Sequence, residues 1–196
     1  MQHLTYRGEG VTGPLPVCFL IPRIQGDEIK RYYLDPYGLD PDDVLVLSLY
    51  QKGKKTPVVE IKAYIEDMLV PVWKDMDVTY LMVADTDYFK VLTKATKAEA
   101  NLGYVMDCVY GPWKVIYLPS HRTIFYDPEK VLAKIKQAME ALRDHATGHY
   151  ESPGTSILVE EHYPKTLPEI TAVLDDLLRM DCDLTCDIEG FGLKHY

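Results

Sequence analysis

Apolar residues along the chain fall into two patterns. Pro16-Val17-Cys18-Phe19-Leu20-Ile21, Val44-Leu45-Val46-Leu47-Ser48-Leu49 and Tyr80-Leu81-Met82-Val83-Ala84 are nearly unbroken apolar runs. That is the pattern of strands buried on both faces of a parallel sheet. Between the second and third runs, Ile61, Tyr64, Ile65, Met68, Leu69 and Val72 recur three and four apart. The spacing predicts one helix with a single apolar stripe. After the third run, Asp85 or Thr86 stands ready to cap a helix whose inner face carries Phe89 and Leu92. Residues 104–109 and 114–118 form two further runs joined by Tyr110-Gly111-Pro112-Trp113, which reads as a hairpin turn. Asp127-Pro128 opens the clearest helix, an N-cap with proline at the first position and Val131, Ile135, Met139 and Leu142 inside. Strands alternating with helices predict an α/β layer fold.

The pattern breaks at residues 145–163, where Gly148, Pro153, Gly154 and Pro164 punctuate a stretch of no sustained period. A segment of that length without periodicity reads as a linker. Beyond it, Thr166-Leu167-Pro168-Glu169 is a capping box that opens a helix through Met180, with Ile170, Val173, Leu174, Leu177 and Leu178 on its apolar side. A strand over residues 184–189 follows. The expected organisation is an α/β domain over 1–146, a linker over 147–165 and a helix-strand segment over 166–196.

Composition narrows the function. The 196 residues are 47% hydrophobic and 26% charged, with a mean hydropathy of −0.15, as in globular proteins. No run approaches the ~18–20 apolar residues of a membrane span, so no membrane partner is expected. Met1-Gln2-His3-Leu4-Thr5 and the residues after it offer neither a basic nor an apolar leader region, and no signal peptide is expected. Four cysteines are too few for a disulfide framework and point to a reducing compartment. A net charge of −9 argues against a sequence-blind nucleic-acid binder, so any DNA contact runs through a local patch.

Alternation along Asp183-Leu184-Thr185-Cys186-Asp187-Ile188-Glu189-Gly190 puts Asp187 and Glu189 on one strand face. Paired hard-oxygen ligands suit Mg²⁺ or Mn²⁺, and two-metal phosphodiester hydrolysis needs such a pair plus further carboxylates. On spacing alone, a solvent-facing strand with two ordinary acids is the competing reading. The capped helix leading into Asp-x-Glu-x-x-Gly resembles the first motif of DEDD-type 3′–5′ exonucleases, in particular the proofreading domains of bacteriophage family A DNA polymerases. The resemblance covers about the last thirty residues, and it implies that Asp187 and Glu189 bind the catalytic metals. The family takes two more Asp from motifs farther along, and only seven residues follow Glu189 here. The metal site is therefore expected only in a complete exonuclease domain.

Tyr117-Leu118-Pro119-Ser120-His121-Arg122, after a hairpin and before a helix, is similar to the second motif of the uracil-DNA glycosylase superfamily, where a strand ends in His-Pro-Ser. Tyr80–Leu92 also looks like the segment before that motif. The likeness covers roughly residues 16–145 and implies a three-layer α/β fold with a mainly parallel central sheet. Two departures imply that base excision is lost. The motif histidine falls on Leu118, with His121 three residues later, and the loop Ile21-Pro22-Arg23-Ile24-Gln25-Gly26-Asp27 carries no acid beside the strand end. Cys18, Cys108, Cys182 and Cys186 lack the spacing by which some members hold an iron–sulfur cluster, and read as buried thiols.

A degenerate glycosylase-like domain ahead of an exonuclease strand implies the N-terminal segment of a phage replicative DNA polymerase. Its partners would be DNA and the rest of the polymerase chain, and its place the host cytoplasm. Candidate DNA-contacting residues are Lys52, Lys54 and Lys55, a basic loop at a strand end, with Ser120, His121 and Arg122. Tyr32, Tyr33 and Tyr37 beside Arg31 read as base-stacking groups or as packing for a Pro-bounded loop. His145 and His149 read as helix-end surface. The other expectations are a stand-alone repair hydrolase of the glycosylase superfamily using Asp27, Glu28 or His121, and a noncatalytic protein-interaction module.

Overall fold

In the computed structural model, which describes residues 1–8, 12–53, 55–155 and 164–180, the apolar runs become strands of one six-stranded sheet. They are β1 (His3–Thr5), β2 (Val17–Ile21), β3 (Val44–Ser48), β4 (Tyr80–Val83), β5 (Val105–Asp107) and β6 (Lys114–Tyr117). The helices are α1 (Gly26–Ile29), α2 (Val58–Tyr64), α3 (Val70–Asp75), α4 (Thr86–Thr93), α5 (Pro128–Ala146) and α6 (Leu167–Arg179). The chain divides into two units, Met1–Ser156 and Ile157–Tyr196.

Strand order across the sheet is β1-β3-β2-β4-β6-β5. The four central strands are parallel, as their continuous hydrophobicity predicts. The side strands β1 and β5 are antiparallel, so the sheet is mixed. Side chains alternate between two cores. Cys18, Leu20, Leu81, Val83 and Val115 pack with Ile61, Trp73 and Phe89 from α2, α3 and α4. Phe19, Ile21, Val46, Met82 and Ile116 pack with Ile29 of α1 and with Ile135 and Met139 of α5.

The single stripe predicted across residues 61–72 needs correction. A π-helical turn, Ile65–Leu69, joins α2 to α3, with Pro71 just inside α3. Proline lacks the N–H that an unbroken α-helix would require, and the wider turn accommodates it. The turn also slips the phase of the stripe. Met68 is 42% exposed, whereas Trp73 is fully buried against Trp113, ring centroids 5.1 Å apart. A second π-helical turn, Lys30–Leu34, follows α1 and buries Tyr33 and Leu34 where a loop was expected.

Residues 147–155, within the stretch of linker composition, lie against β5. The Tyr150 hydroxyl accepts from Val105 N at 2.9 Å and donates to Gly103 O at 3.1 Å. Tyr104 donates to Pro153 O at 2.9 Å. In the second unit, the Glu169 carboxylate accepts from Thr166 N at 3.1 Å, the capping-box contact expected from sequence. The strand expected over 184–189 lies outside the described residues. No helix among the described residues is long and apolar enough to cross a membrane.

Candidate functional site

Parallel strands that end side by side send their following loops to one edge, where ligands of open α/β sheets bind. Backbone bonds from Leu49 N to Ile21 O, Ala84 N to Leu20 O and Leu118 N to Val83 O, each 2.9 Å, carry the ladder past the strand ends. The loops after β2, β3, β4 and β6 therefore leave a fixed frame.

After β2 the chain turns through Pro22–Ile24 to Gln25, the residue preceding α1, and Glu28 lies in that helix's first turn. After β6 it runs through Leu118, Pro119 and Ser120 into a 3-10 turn, His121–Phe125. The two loops meet at His121, a buried polar residue at 3% exposure. Its Nε2 lies 2.8 Å from Glu28 Oε2 and 3.3 Å from Gln25 Oε1. Its Nδ1 lies 3.2 Å from the Tyr33 hydroxyl. That hydroxyl also accepts from His121 N at 2.5 Å and faces Pro119 O at 3.0 Å.

These contacts fix the imidazole. A carboxylate only accepts, so Nε2 carries a proton and donates to Glu28, while the single Tyr33 hydroxyl proton lies between Pro119 O and the Nδ1 lone pair of the neutral ring. Burial drives the His121 pKa below its ordinary value; Glu28 opposes this by contact and charge, and Arg122 adds to the lowering. Burial raises the Tyr33 phenol, keeping it a neutral donor. The arrangement is a carboxylate–imidazole pair beside an open cleft of about 450 Å³, bordered by Gln25, Glu28, Tyr32, Arg122 and Phe125. Such a pair can hold or pass a proton at Nε2.

Each candidate from the sequence has a defined place. Ser120, His121 and Arg122 share the loop after β6. Arg122 makes no ion pair among the described residues. Lys52 and Lys55 lie on the loop after β3, three strand spacings or about 14 Å away along the same edge. Lys52 Nζ is 2.8 Å from Glu60 Oε1, which raises the amine and lowers the carboxyl. Lys54, Asp187, Glu189, Cys182 and Cys186 lie outside the described residues. Asp27 is exposed. Tyr33 is core, stacked on Phe19 at 5.7 Å. Arg31 sits over the Tyr32 ring at 5.2 Å.

Neighbouring polar groups at this edge serve the frame. Asp85 caps α4 by accepting from Asp87 N and Tyr88 N at 2.9 and 3.0 Å. Glu99 accepts from Tyr117 at 2.9 Å and pairs with Lys134; these bonds hold its carboxyl below the usual range. Cys18 and Cys108 are buried free thiols, pushed up by burial. His145 faces the Tyr80 hydroxyl at 3.0 Å. No group of three His, Cys, Asp or Glu residues converges on a metal position among the described residues.

The sequence offered Glu28 and His121 as alternatives for one site, but it did not join Gln25 or Tyr33 to them. The unbroken pattern Ile29, Tyr33 and Leu34 offered an apolar signal for the helical stretch after Gln25, which is what brings Glu28 under the imidazole. No family model matches the chain, and neither a curated protein nor a solved structure does.

Proposed function

We propose that the first unit is a DNA-facing, noncatalytic α/β domain related in layout to the uracil-DNA glycosylase superfamily. It would stand at the N-terminal side of a proofreading 3′–5′ exonuclease in a bacteriophage family A DNA polymerase. The observation that carries this reading is the gathering of Ser120, His121, Arg122, Lys52 and Lys55 along the carboxyl edge of the sheet. A mainly parallel sheet with helices on both faces is the layout that the sequence likeness implies.

Loss of base excision follows from the same edge. Leu118, which stands where the motif histidine belongs, is fully buried and offers no polar atom. The neutral His121 imidazole presents its Nε2 proton to Glu28 and so offers no lone pair there toward a substrate. The second unit contributes α6, and Asp187 and Glu189 would supply two carboxylates for Mg²⁺ or Mn²⁺ once the remaining motifs are joined. When bound, that metal pair would stabilise the attacking and leaving oxygens of a phosphodiester.

Binding of labelled DNA by the full chain at rising salt tests the reading. DNA is expected to bind at low salt, with affinity falling as salt rises, and Arg122→Ala is expected to weaken it about equally across sequences. No binding at low salt overturns the proposal. A second reading, a hydrolase working through Glu28 and His121, draws on their 2.8 Å contact. It requires Glu28 to act as the base that withdraws the imidazole proton.

A further inference from the structure

The 3-10 turn that begins at His121 and the residue after it carry two aromatic side chains that the core does not claim. Phe125 is 88% exposed and Tyr126 84% exposed. Phe19 and Phe89 are completely buried, as is Trp73, so this fold has room to hide large rings. The two rings meet edge to face, centroids 5.6 Å apart and planes at 86°. They do not hang on a loose segment. Thr123 N and its hydroxyl both donate to Ser120 O, at 3.0 and 2.7 Å. Tyr126 N donates to Thr123 O at 3.1 Å, and Asp127 caps α5 through Lys130 N at 3.2 Å.

The surroundings select an occupant. Phe125 borders the cleft beside Arg122, whose guanidinium has no ion-pair partner among the described residues. The cleft wall is mixed, with Gln25 and Glu28 offering polar groups and Tyr32, Ile124 and Pro128 offering apolar surface. A wholly apolar anchor would cover Gln25 and Glu28 and cost them their hydrogen bonds to water. A nucleobase has π faces for the rings and polar edges for the wall, and its phosphate suits the arginine. Bases within a duplex are already stacked and paired, so only an unpaired base can use the faces of two mutually perpendicular rings.

We infer that Phe125 and Tyr126 form a stacking platform for unpaired bases of single-stranded DNA, with Arg122 holding the adjoining phosphate. This deepens the DNA-facing reading above and rests on it. The platform sets a preference for unpaired strand over duplex, which phosphate contacts alone do not give.

The test is fluorescence anisotropy of the full chain with labelled oligothymidine of about twenty nucleotides, the matching duplex, and an abasic strand of equal length. Oligothymidine is expected to bind more tightly than either competitor. Phe125→Ala with Tyr126→Ala is expected to weaken oligothymidine binding by about tenfold or more and to leave the abasic strand unchanged. Phe125→Trp keeps a stacking face and should retain affinity. Arg122→Ala should weaken both strands and reduce the salt slope. Because both rings are exposed, circular dichroism should show an unaltered fold in the double variant.

A double variant that binds oligothymidine like the parent overturns the platform, while the parent's own binding leaves the DNA-facing reading standing. Equal losses on thymidine and abasic strands also overturn the platform. A parent chain that binds no DNA removes both. A parent that sediments as a dimer, with the double variant a monomer, assigns the rings to a protein contact and overturns the platform.

Discussion

Nε2 of His121 lies 2.8 Å from Oε2 of Glu28, tying the loop after β6 to the first turn of α1 across the end of the intervening strand β4. The tie holds a titratable ring out of water. Burial lowers the imidazole pKa more than the carboxylate raises it, so below about pH 6.5 the unfolded chain takes up a proton that the native chain does not. Stability should therefore fall with acidification through this window, until the native imidazole titrates in turn. His121→Gln should flatten that dependence. Urea midpoints measured from about pH 7.5 to 5.5 check it, and a parent midpoint that holds or rises on acidification contradicts the sign.

The full chain should release no uracil from DNA. Leu118 is buried where a polar group would be needed, and the nearby imidazole is committed to Glu28. A uracil-release assay above a buffer control checks this. Release that disappears in both His121→Ala and Glu28→Gln would instead favour the hydrolase reading.

Gly111 should resist substitution for a local reason. A methyl group there would stand 2.4 Å from a ring carbon of Trp113. Trp113 is itself buried and pinned against Trp73, so the ring has little room to retreat. Gly111→Ala should cost about 1–3 kcal/mol, read from chemical denaturation followed by tryptophan fluorescence. At Gly53 nothing lies within 4 Å of such a methyl and only a φ of +61° opposes it. Gly53→Ala should cost about 1–2 kcal/mol, from backbone strain alone.

Asp187 and Glu189 are two carboxylates, and Mg²⁺ keeps most of its water shell when so few protein ligands reach it. The present chain should bind Mg²⁺ or Mn²⁺ weakly in calorimetry and should not degrade DNA. A longer chain carrying the two further Asp motifs should hydrolyse single-stranded DNA from the 3′ end in a metal-dependent way. Asp187→Ala with Glu189→Ala in that chain should abolish hydrolysis with the fold intact. Undiminished digestion by that double variant would sink the exonuclease assignment.

The α/β architecture was legible because the central strands are buried on both faces and show it as unbroken apolar runs. Asp127-Pro128 and Thr166–Glu169 announced their helices by chemistry that acts within a few residues. The side strand β1 escaped notice because its three residues, His3, Leu4 and Thr5, are too few to display a period. Met68 was misassigned and Trp73 missed because a π-helical turn changes the phase that the stripe assumes. The contact between Glu28 and His121 was illegible for a different reason. It arises from strand order, with β2 and β6 on either side of β4, and local spacing carries no record of that order.

The Tyr150 hydroxyl occupies Val105 N, at the start of the outer strand β5, and Gly103 O just before that strand. An unguarded outer strand is a template on which another chain can add, and this tyrosine blunts it without contributing a strand of its own. Residues 147–155 thus act as a guard against self-association. A shortened domain that ends at Ala146 would bare that template and should be lost to aggregation more readily than one that ends at Thr155.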